Sequence, residues 1–398
     1  MTHLGEIFRA FLKLGLTSFG GPIAHIGYFR KEFVETRKWI DDAAYADLVA
    51  LCQFLPGPAS SQVVFGLGMR RGGLAGALTA SLCFTMPSAI LMILFGYGIL
   101  WMGDFHQAGW LQGLKVAAVA VVAQALIGMT KALTPDKIRV VIAFVVALIS
   151  LLYPGPAGQL GSILGGSLLG YLLFRSDTQK PEKAVPHILG HRWAIGAISL
   201  FFILFILFFI LVKTNGNSFA KEFYAFYRTG SLVFGGGHVV LPLLRAEVVA
   251  PGWVSDSAFL AGYGIAQALP GPLFTFAAYL GTLSSIRPNG WSGGLWCLFA
   301  IYLPTWLMVG GFLPFWERLR SLNWMKAALK GSNAAVVGIL FAAFYNPLWV
   351  EGIRGISDFL VGLAAFSLLQ YVKLPAWLVV ILCAAAGQTV SLLGKSVL

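Results

Sequence analysis

The sequence predicts an all-α polytopic membrane protein made of two homologous halves, arranged as an inverted repeat with broken or re-entrant helices. Its 398 residues are 58% hydrophobic and 11% charged, and the mean hydropathy is +0.79. Soluble proteins carry about 25% charged residues, so this chain has too few to cover a water-soluble surface. A set of helix-breaking motifs also recurs 214 to 215 positions later in the chain, which is typical of transporters built from internal repeats.

The apolar stretches are long enough to cross a hydrocarbon core, which takes about 20 helical residues. They are continuously apolar and do not alternate, so they predict helices rather than a barrel. We predict six segments in each half, with the first two of each half broken, and one connecting helix at 193–213. The first-half segments are 8–26, 44–67, 74–101, 111–130, 138–153 and 158–174, and the second-half segments are 222–241, 257–285, 291–314, 325–345, 356–371 and 374–394.

The predicted units are an N-terminal repeat at 1–175, a cytoplasmic linker with the connecting helix at 176–221, and a C-terminal repeat at 222–398. Because the first half crosses the membrane an even number of times and the connecting helix crosses it once more, the second half begins on the opposite face and is inverted. Most lysines and arginines then fall on one face, which the positive-inside rule makes cytoplasmic. The N-terminus is therefore predicted inside and the C-terminus outside. If only one segment per half were re-entrant, the halves would be parallel and this sorting would be lost.

Several function classes are disfavoured by the composition. The net charge of +12 is spread over both halves rather than gathered on one soluble domain, so we expect no nucleic-acid partner. The cysteines lie in apolar segments and the histidines lack ligand spacing, so neither a metal nor another cofactor is predicted. No nucleotide-binding motif is present. An intramembrane enzyme stays as an alternative, but it would need a catalytic constellation, and only Asp47 with Ala261 opposite it was found. The prediction is therefore a protein that is not an enzyme.

The strongest candidate site is a pair of helix breaks, one in each half. Leu55-Pro56-Gly57-Pro58 and Leu269-Pro270-Gly271-Pro272 lie inside apolar segments, where two prolines remove backbone donors and stop the helix. A break at membrane depth is tolerated where it faces a cavity or packed protein. The half-helix that follows presents free amides and a positive dipole end to an anion. Ser60, Ser61 and Thr275 follow the breaks and offer further hydroxyl donors.

A second duplicated element consists of glycines that follow a phenylalanine. Phe19-Gly20-Gly21 in the first half matches Phe234-Gly235-Gly236 in the second. Glycine lets the backbone adopt unusual conformations and lets a ligand approach closely, so Phe19, Gly20, Gly21, Gly235 and Gly236 are predicted to contribute to substrate binding. The alternative is that these glycines are close-packing points between membrane helices.

Polar residues recur at matching positions near these breaks. Lys13 and Arg228 are predicted to hold an anion from opposite faces, or else to extend to their own membrane interfaces. Gln53 and Gln267 precede the first proline of each break and are predicted to line the site or a helix contact. The matching pairs Arg30 with Glu32 and Arg245 with Glu247 are interpreted as structural ion pairs or as coupling residues.

These motifs together resemble the chromate ion transporter family. The resemblance rests on Phe19-Gly20-Gly21-Pro22 with His25, on the Trp39-Ile40-Asp41-Asp42 turn, and on Gln53 to Pro58 with its looser copy at Gln267 to Pro272. It implies a secondary transporter in the bacterial inner membrane that exports chromate from the cytoplasm and confers resistance, with sulfate as a competing analogue. The second copy departs from the pattern, because Gly237 replaces the proline and Val240 stands in place of His25.

The working hypothesis is oxyanion export by alternating access around a site framed by both breaks. The predicted partners are chromate or a sulfate-like oxyanion and the lipid bilayer. Sulfate or another oxyanion as the natural cargo is an alternative, since chromate and sulfate share charge and shape, and an anion channel is another. The duplication permits a functional monomer and leaves a homodimer open.

Overall fold

The computed structural model of the chain describes residues 2–19, 21–102, 109–153, 156–175, 191–214, 216–233, 239–316 and 322–395. Within these ranges all regular structure is helical, as the apolar pattern predicts. Five of the described helices are long and apolar enough to cross a membrane, by length and composition, and shorter apolar helices accompany them. Most of the predicted cytoplasmic linker, at 176–190, lies outside the described residues.

Within the described residues, the first half and the connecting helix contain eight helices. They are α1 (Thr2–Thr17), α2 (Gly21–Phe29, continued as a π-helix over Arg30–Thr36), α3 (Asp42–Phe54), α4 (Ala59–Met102), α5 (Gly109–Leu133), α6 (Lys137–Leu152), α7 (Pro156–Phe174) and the connecting α8 (His191–Thr214). The predicted segment 8–26 is broken, as expected, and the break lies between α1 and α2. Helix α4 is kinked at Gly72 and Gly73, whose backbone angles are not helical.

The second half repeats this order with shorter pieces. Its helices are α9 (Ser218–Leu232), α10 (Val240–Val248), α11 (Asp256–Ala268), α12 (Phe276–Leu283, preceded by a 3-10 turn at Leu273–Thr275), α13 (Gly290–Phe312), α14 (Asn323–Ala343, continued by a π-helix at Phe344–Trp349), α15 (Ile356–Ser367, continued by a π-helix at Leu368–Val372) and α16 (Ala376–Lys395).

Matching side chains begin the equivalent helices of the two halves. The Asp41 side chain accepts a hydrogen bond from the backbone N–H of Ala44 at the start of α3, and Ser255 does the same for Ala258 at the start of α11. Such caps satisfy amides that the first helical turn leaves unbonded. Asp136 caps α6 in the loop after α5, and the backbone N–H and guanidinium of Arg139 hold the pKa of that carboxyl below its usual value.

The hairpin α1–α2 and the hairpin α3–α4 both open on one end of the molecule, which we term the N-terminal face. Glu6 near the start of α1 pairs with Arg71 at the end of the first part of α4 at 2.9 Å. Glu6 also accepts a hydrogen bond from the Trp39 ring N–H, at 3.0 Å. Both hairpins therefore enter and leave on the same side. Two segments of this half are re-entrant.

The equivalent hairpins of the second half open on the other end, termed the C-terminal face. The backbone N–H of Ser285 after α12 donates to Trp253 O before α11, at 3.0 Å. The backbone N–H of Trp291 donates to the Tyr97 hydroxyl at 3.0 Å. Tyr97 lies near the far end of α4, about 35 Å along the helix from the kink at Gly73 by helical rise. The two halves are therefore an inverted repeat.

The remaining helices interleave the two halves. Helix α5 packs on α15 and α16 of the second half, and α14 packs on α6 and α7 of the first. A Cβ on Gly113 would stand 2.0 Å from Cys383 O, and a Cβ on Gly331 would stand 2.0 Å from Gly166 O. Only glycine permits such backbone approach, which is common at membrane helix contacts. Each half thus contributes helices that hold the other in place.

Candidate functional site

The tips of the re-entrant hairpins meet inside the molecule and bond across the two halves. The backbone N–H of Gly57 donates to Val233 O of the second half at 2.6 Å, and the N–H of Gly271 donates to Ser18 O of the first half at 2.8 Å. Gly57 and Gly271 are equivalent positions of the repeat, and so are Ser18 and Val233. The two bonds are therefore reciprocal, as a pseudo-twofold axis requires.

The two break glycines adopt conformations that other residues rarely reach. Gly57 has φ +126° and Gly271 has φ +94°, both outside the ordinary range of residues with side chains. A Cβ on Gly57 would stand 3.2 Å from Thr305 Oγ1, and one on Gly271 would stand 2.8 Å from Ser88 Oγ. Each break therefore lies directly against a hydroxyl of the other half.

Two half-helices begin at these breaks and run toward opposite faces. Helix α4 starts at Ala59, and its first bond is from Gln62 N to Pro58 O at 3.0 Å. In the second half a 3-10 turn starts at Leu273, and the Thr275 hydroxyl donates back to Pro272 O at 2.9 Å. Their N-terminal ends point at the centre from both sides, and such ends favour anions.

Buried polar atoms without a partner surround the crossing. Among the described residues, Ser18 Oγ, His25 Nδ1, Gln62 Oε1, Gln267 Nε2 and Thr305 Oγ1 are buried and make no hydrogen bond. Buried polar groups are nearly always satisfied, so a group of unsatisfied ones indicates a place for water or solute. The Tyr302 hydroxyl lies beside Ser61 and Thr85. None of these side chains except histidine can carry a charge near neutral pH.

The predicted cations form ion pairs that repeat in both halves. Lys13 Nζ lies 2.9 Å from Glu32, and Arg228 Nε lies 2.7 Å from Glu247 at the equivalent positions. Lys13 precedes Ser18 by five residues, about 7 to 8 Å along the helix. These pairs link the two arms of the first hairpin in each half, within a short distance of the crossing.

Arg30 and Arg245 also have matching partners, which are not the glutamates two residues on. Arg30 Nε lies 2.8 Å from Asp42, and Arg245 Nε lies 2.8 Å from Asp256. Arg30 further pairs with Glu35. All four charged residues of the two Arg-x-Glu motifs therefore form ion pairs. Each arginine pairs with the start of the next hairpin, whereas each glutamate pairs with the first helix of its own hairpin.

The other predicted site residues differ in how far they are buried. Gly20, Gly235 and Gly236 lie outside the described residues. Phe19 is half-buried with its ring 6.1 Å from that of Trp377. Gln53 is exposed and Gln267 is half-buried. The remaining predicted residues divide into half-buried Gly21, Pro56, Pro270 and Gly271, and buried Gly57, Pro58, Ser60, Ser61, Pro272 and Thr275.

Sequence reasoning predicted the helices at 74–101 and 291–314, but it missed that they face the breaks. Pro87-Ser88 in α4 and Pro304-Thr305 in α13 are a further duplicated pair, 217 positions apart. A proline inside a helix frees carbonyls of the preceding turn. Repetition of a proline followed by a hydroxyl residue in both halves was the signal that could have found them.

Glu222 is a second residue that sequence reasoning missed. It is fully buried in α9 beside Ser284 and Cys297, at the position that Ile7 occupies in the first half. An acidic side chain at a buried membrane position is a functional candidate. The second half carries this one without a counterpart.

A cavity of about 110 Å³ lies away from the crossing, nearer the C-terminal face. It is bounded by the ends of α6 and α14, the start of α7, and α10. Arg245 is its charged lining residue, and Ser150, Gln159 and Asn346 are its polar ones.

Comparison with known proteins places both halves in one family. A sequence profile described as "Chromate transporter" matches residues 5–171 and 220–388. A "Chromate transport protein" of Pseudomonas aeruginosa is 29% identical over 90% of this chain and 86% of that protein. A "Probable chromate transport protein" of Synechococcus elongatus is 27% identical over 96% and 95%. An "Uncharacterized transporter" of Methanocaldococcus jannaschii is 25% identical over 97% and 94%. No solved structure matches the chain significantly.

Proposed function

The chain belongs to the chromate transporter family, and on that premise we propose that it is a secondary transporter, not an enzyme, that exports chromate from the cytoplasm. It works by alternating access in the bacterial inner membrane, with the N-terminal face in the cytoplasm, and thereby confers chromate resistance. The names of its relatives support chromate as cargo.

The reciprocal bonds at Gly57 and Gly271 carry the proposal. They bring two opposed half-helix ends and the hydroxyls of Ser88 and Thr305 to one place. A doubly charged tetrahedral oxyanion needs several dispersed donors and partial neutralisation, which amides and hydroxyls supply. Full cationic charge at the centre would bind tightly and release slowly, and the predicted cations, Lys13 and Arg228, are already paired with glutamates. The site therefore suits a transporter, which must release the oxyanion, rather than a protein that binds it tightly.

The unequal packing of two equivalent helices supports alternating access. Six of the nine residues of α10 are buried, and α10 packs on α7, α9, α11 and α14. The equivalent residues of the first half, 25–33, span the end of α2 and the start of its π-helix. Four of these nine are buried, His25, Phe29, Glu32 and Phe33, and the main neighbour of α2 outside its own hairpin arm is α4. Alternating access requires the two halves to exchange conformations, so that the site opens first to one face and then to the other. Equivalent helices that pack differently in the two halves fit this requirement. We interpret the looser α2 as opening toward the N-terminal face.

Sulfate as cargo, a homodimer and a channel mechanism are the alternatives to this proposal. Sulfate has the charge and shape of chromate, so the same donors serve both. The crossing is complete within one chain, so transport needs no second copy, although a homodimer of two such chains is compatible with it. A channel would give flux that a gradient of counter-substrate leaves unchanged.

The experiment is chromate accumulation in everted vesicles that contain the protein, with sulfate as competitor. Pro56→Ala and Pro270→Ala restore an amide and let the helix run through the break, so we expect both to abolish uptake with insertion intact. Pro135→Ala, exposed in the loop between α5 and α6, is the matched control and should retain uptake. Absence of uptake by the inserted wild type would show that chromate is not the cargo. Full activity in both break variants would show that the broken helices are not the site.

A further inference from the structure

We propose that the cavity at Arg245 is a second, weaker oxyanion site, occupied on the way between the central crossing and the C-terminal face. The proposal rests on the proposed function, because it takes a tetrahedral oxyanion as cargo. Nothing in the central crossing requires it, and different residues carry it.

The first observation is a difference between the two repeats. Arg30 uses Nε and Nη2 for Asp42 and Nη1 for Glu35. Arg245 uses Nε and Nη2 for Asp256 in the same way, at 2.8 Å each. Five residues beyond Arg245, at the spacing of Glu35 from Arg30, stands Ala250. The Nη1 edge of Arg245 consequently makes no hydrogen bond or ion pair within the part of the chain that the structure describes.

The second observation is that Arg245 borders a cavity. Arg245 and Ala250 both line it, together with side chains from α6, α7 and the segment after α14. Its volume is about 110 Å³, several times the share of one water molecule in the liquid, about 30 Å³. The space where the first repeat places a carboxylate is therefore open in the second, and it is large enough for more than one water.

The third observation is that two polar side chains facing the cavity are buried and unsatisfied. Ser150 and Gln159 are each 8% exposed, and Ser150 Oγ and Gln159 Oε1 have no hydrogen-bond partner among the described residues. Gln159 Nε2 is already engaged, donating to Pro242 O at 3.2 Å. Unsatisfied buried atoms are costly, so two of them at one cavity point to a polar occupant.

These groups define the chemistry of the occupant. The guanidinium edge and the serine hydroxyl are donors suited to an oxyanion. The glutamine oxygen accepts a hydrogen bond, so the occupant also presents a proton, either its own or that of an accompanying water. A hydrated or singly protonated tetrahedral oxyanion meets both demands. Because Asp256 already offsets the charge of Arg245, binding is weak and release is fast.

The position of the cavity fits a stop along the path. Helix α10 begins at Val240, seven positions after Val233 of the crossing, and Arg245 lies five residues further, about 7 to 8 Å along the helix. Asp256, its partner, begins α11 at the C-terminal face. An anion leaving the crossing along α10 thus reaches this cavity before it reaches the solvent.

The test measures how many sulfate ions bind to the purified full-length protein in nanodiscs, by equilibrium dialysis with radiolabelled sulfate. We expect two classes of site in the wild type. Ala250→Glu recreates the first-repeat arrangement and occupies the free guanidinium edge, so the weaker class should disappear. Ala250→Gln, of equal size but uncharged, should retain both classes. Ser150→Ala should weaken only the weaker class, by roughly tenfold, as loss of a hydrogen bond to a charged ligand predicts.

The outcomes separate this proposal from the proposed function. A single class in the wild type, or two classes in Ala250→Glu, overturns the second site, and so does equal loss in the glutamate and glutamine variants. Chromate uptake into vesicles by the same wild-type protein reports on the proposed function independently. Normal uptake with one binding class contradicts only the second site, whereas absence of both uptake and binding contradicts both.

Discussion

Replacing Gly271 by alanine is expected to disable transport through the geometry of the crossing. The backbone there has φ +94°, and a left-handed conformation costs a residue with a side chain about 1 to 2 kcal/mol. The new Cβ would also stand 2.8 Å from Ser88 Oγ and 3.3 Å from Phe84 O, and overpacking adds about 1 to 3 kcal/mol. The sum is about 2 to 5 kcal/mol.

This energetic cost destabilises the state in which the hairpin tips of the two halves are bonded through Gly271 and Ser18. Since about 1.4 kcal/mol is a factor of ten, the population with the Gly271 to Ser18 bond falls at least roughly thirtyfold. If this state is needed for transport, the rate falls by the same factor. The assay is the initial rate of chromate uptake into everted vesicles, divided by the amount of inserted protein.

Two comparison variants separate the causes. Gly252→Ala introduces the same kind of strain at φ +79°, but with no atom within 4 Å of the new Cβ and far from the tips. It should leave the transport rate near that of the wild type. Adding Ser88→Ala to Gly271→Ala removes the hydroxyl nearest to the new Cβ, so part of the crowding penalty should be recovered in the Tm of the solubilised protein, although transport also loses the Ser88 donor. A wild-type rate in Gly271→Ala, or an equal loss in Gly252→Ala, would refute the reasoning.

The remaining predictions concern stability, measured as the Tm of the detergent-solubilised protein. Arg228→Ala leaves the carboxylate of Glu247 nearly buried and unpaired, which costs about 3 to 5 kcal/mol. Lys13→Ala should cost less, because its partner carboxylate keeps an arginine, and equal losses would contradict this difference. Gly331→Ala forces a Cβ to within 2.0 Å of a backbone oxygen of α7, so we expect a large drop in Tm. Gly165→Ala on the facing helix meets nothing within 4 Å and is the control; a matching drop there would show that close packing is not the cause.

The sequence by itself determined the class of protein and the duplicated breaks. Hydrophobic content, length of the apolar runs and the effect of proline on a helix are local properties, so they can be read without knowing which segments meet. The repeat offset aligned the charged residues of the two halves, and the parity of the crossings together with the distribution of basic residues predicted the inversion of the halves. It did not distinguish a broken spanning helix from a re-entrant hairpin, because the two differ only in which ends come together.

Only the tertiary structure decided which atoms meet. The bonds from Gly57 to Val233 and from Gly271 to Ser18 join segments more than 170 positions apart, and no local pattern specifies such partners. The same holds for the pairing of Lys13 with Glu32, where the sequence suggested Arg30 as the partner. Sequence reasoning noticed the equivalence of Arg30 and Arg245, but the free edge of Arg245 became visible only with the cavity beside it. Local chemistry fixes where the chain can break, whereas long-range packing fixes what each break faces.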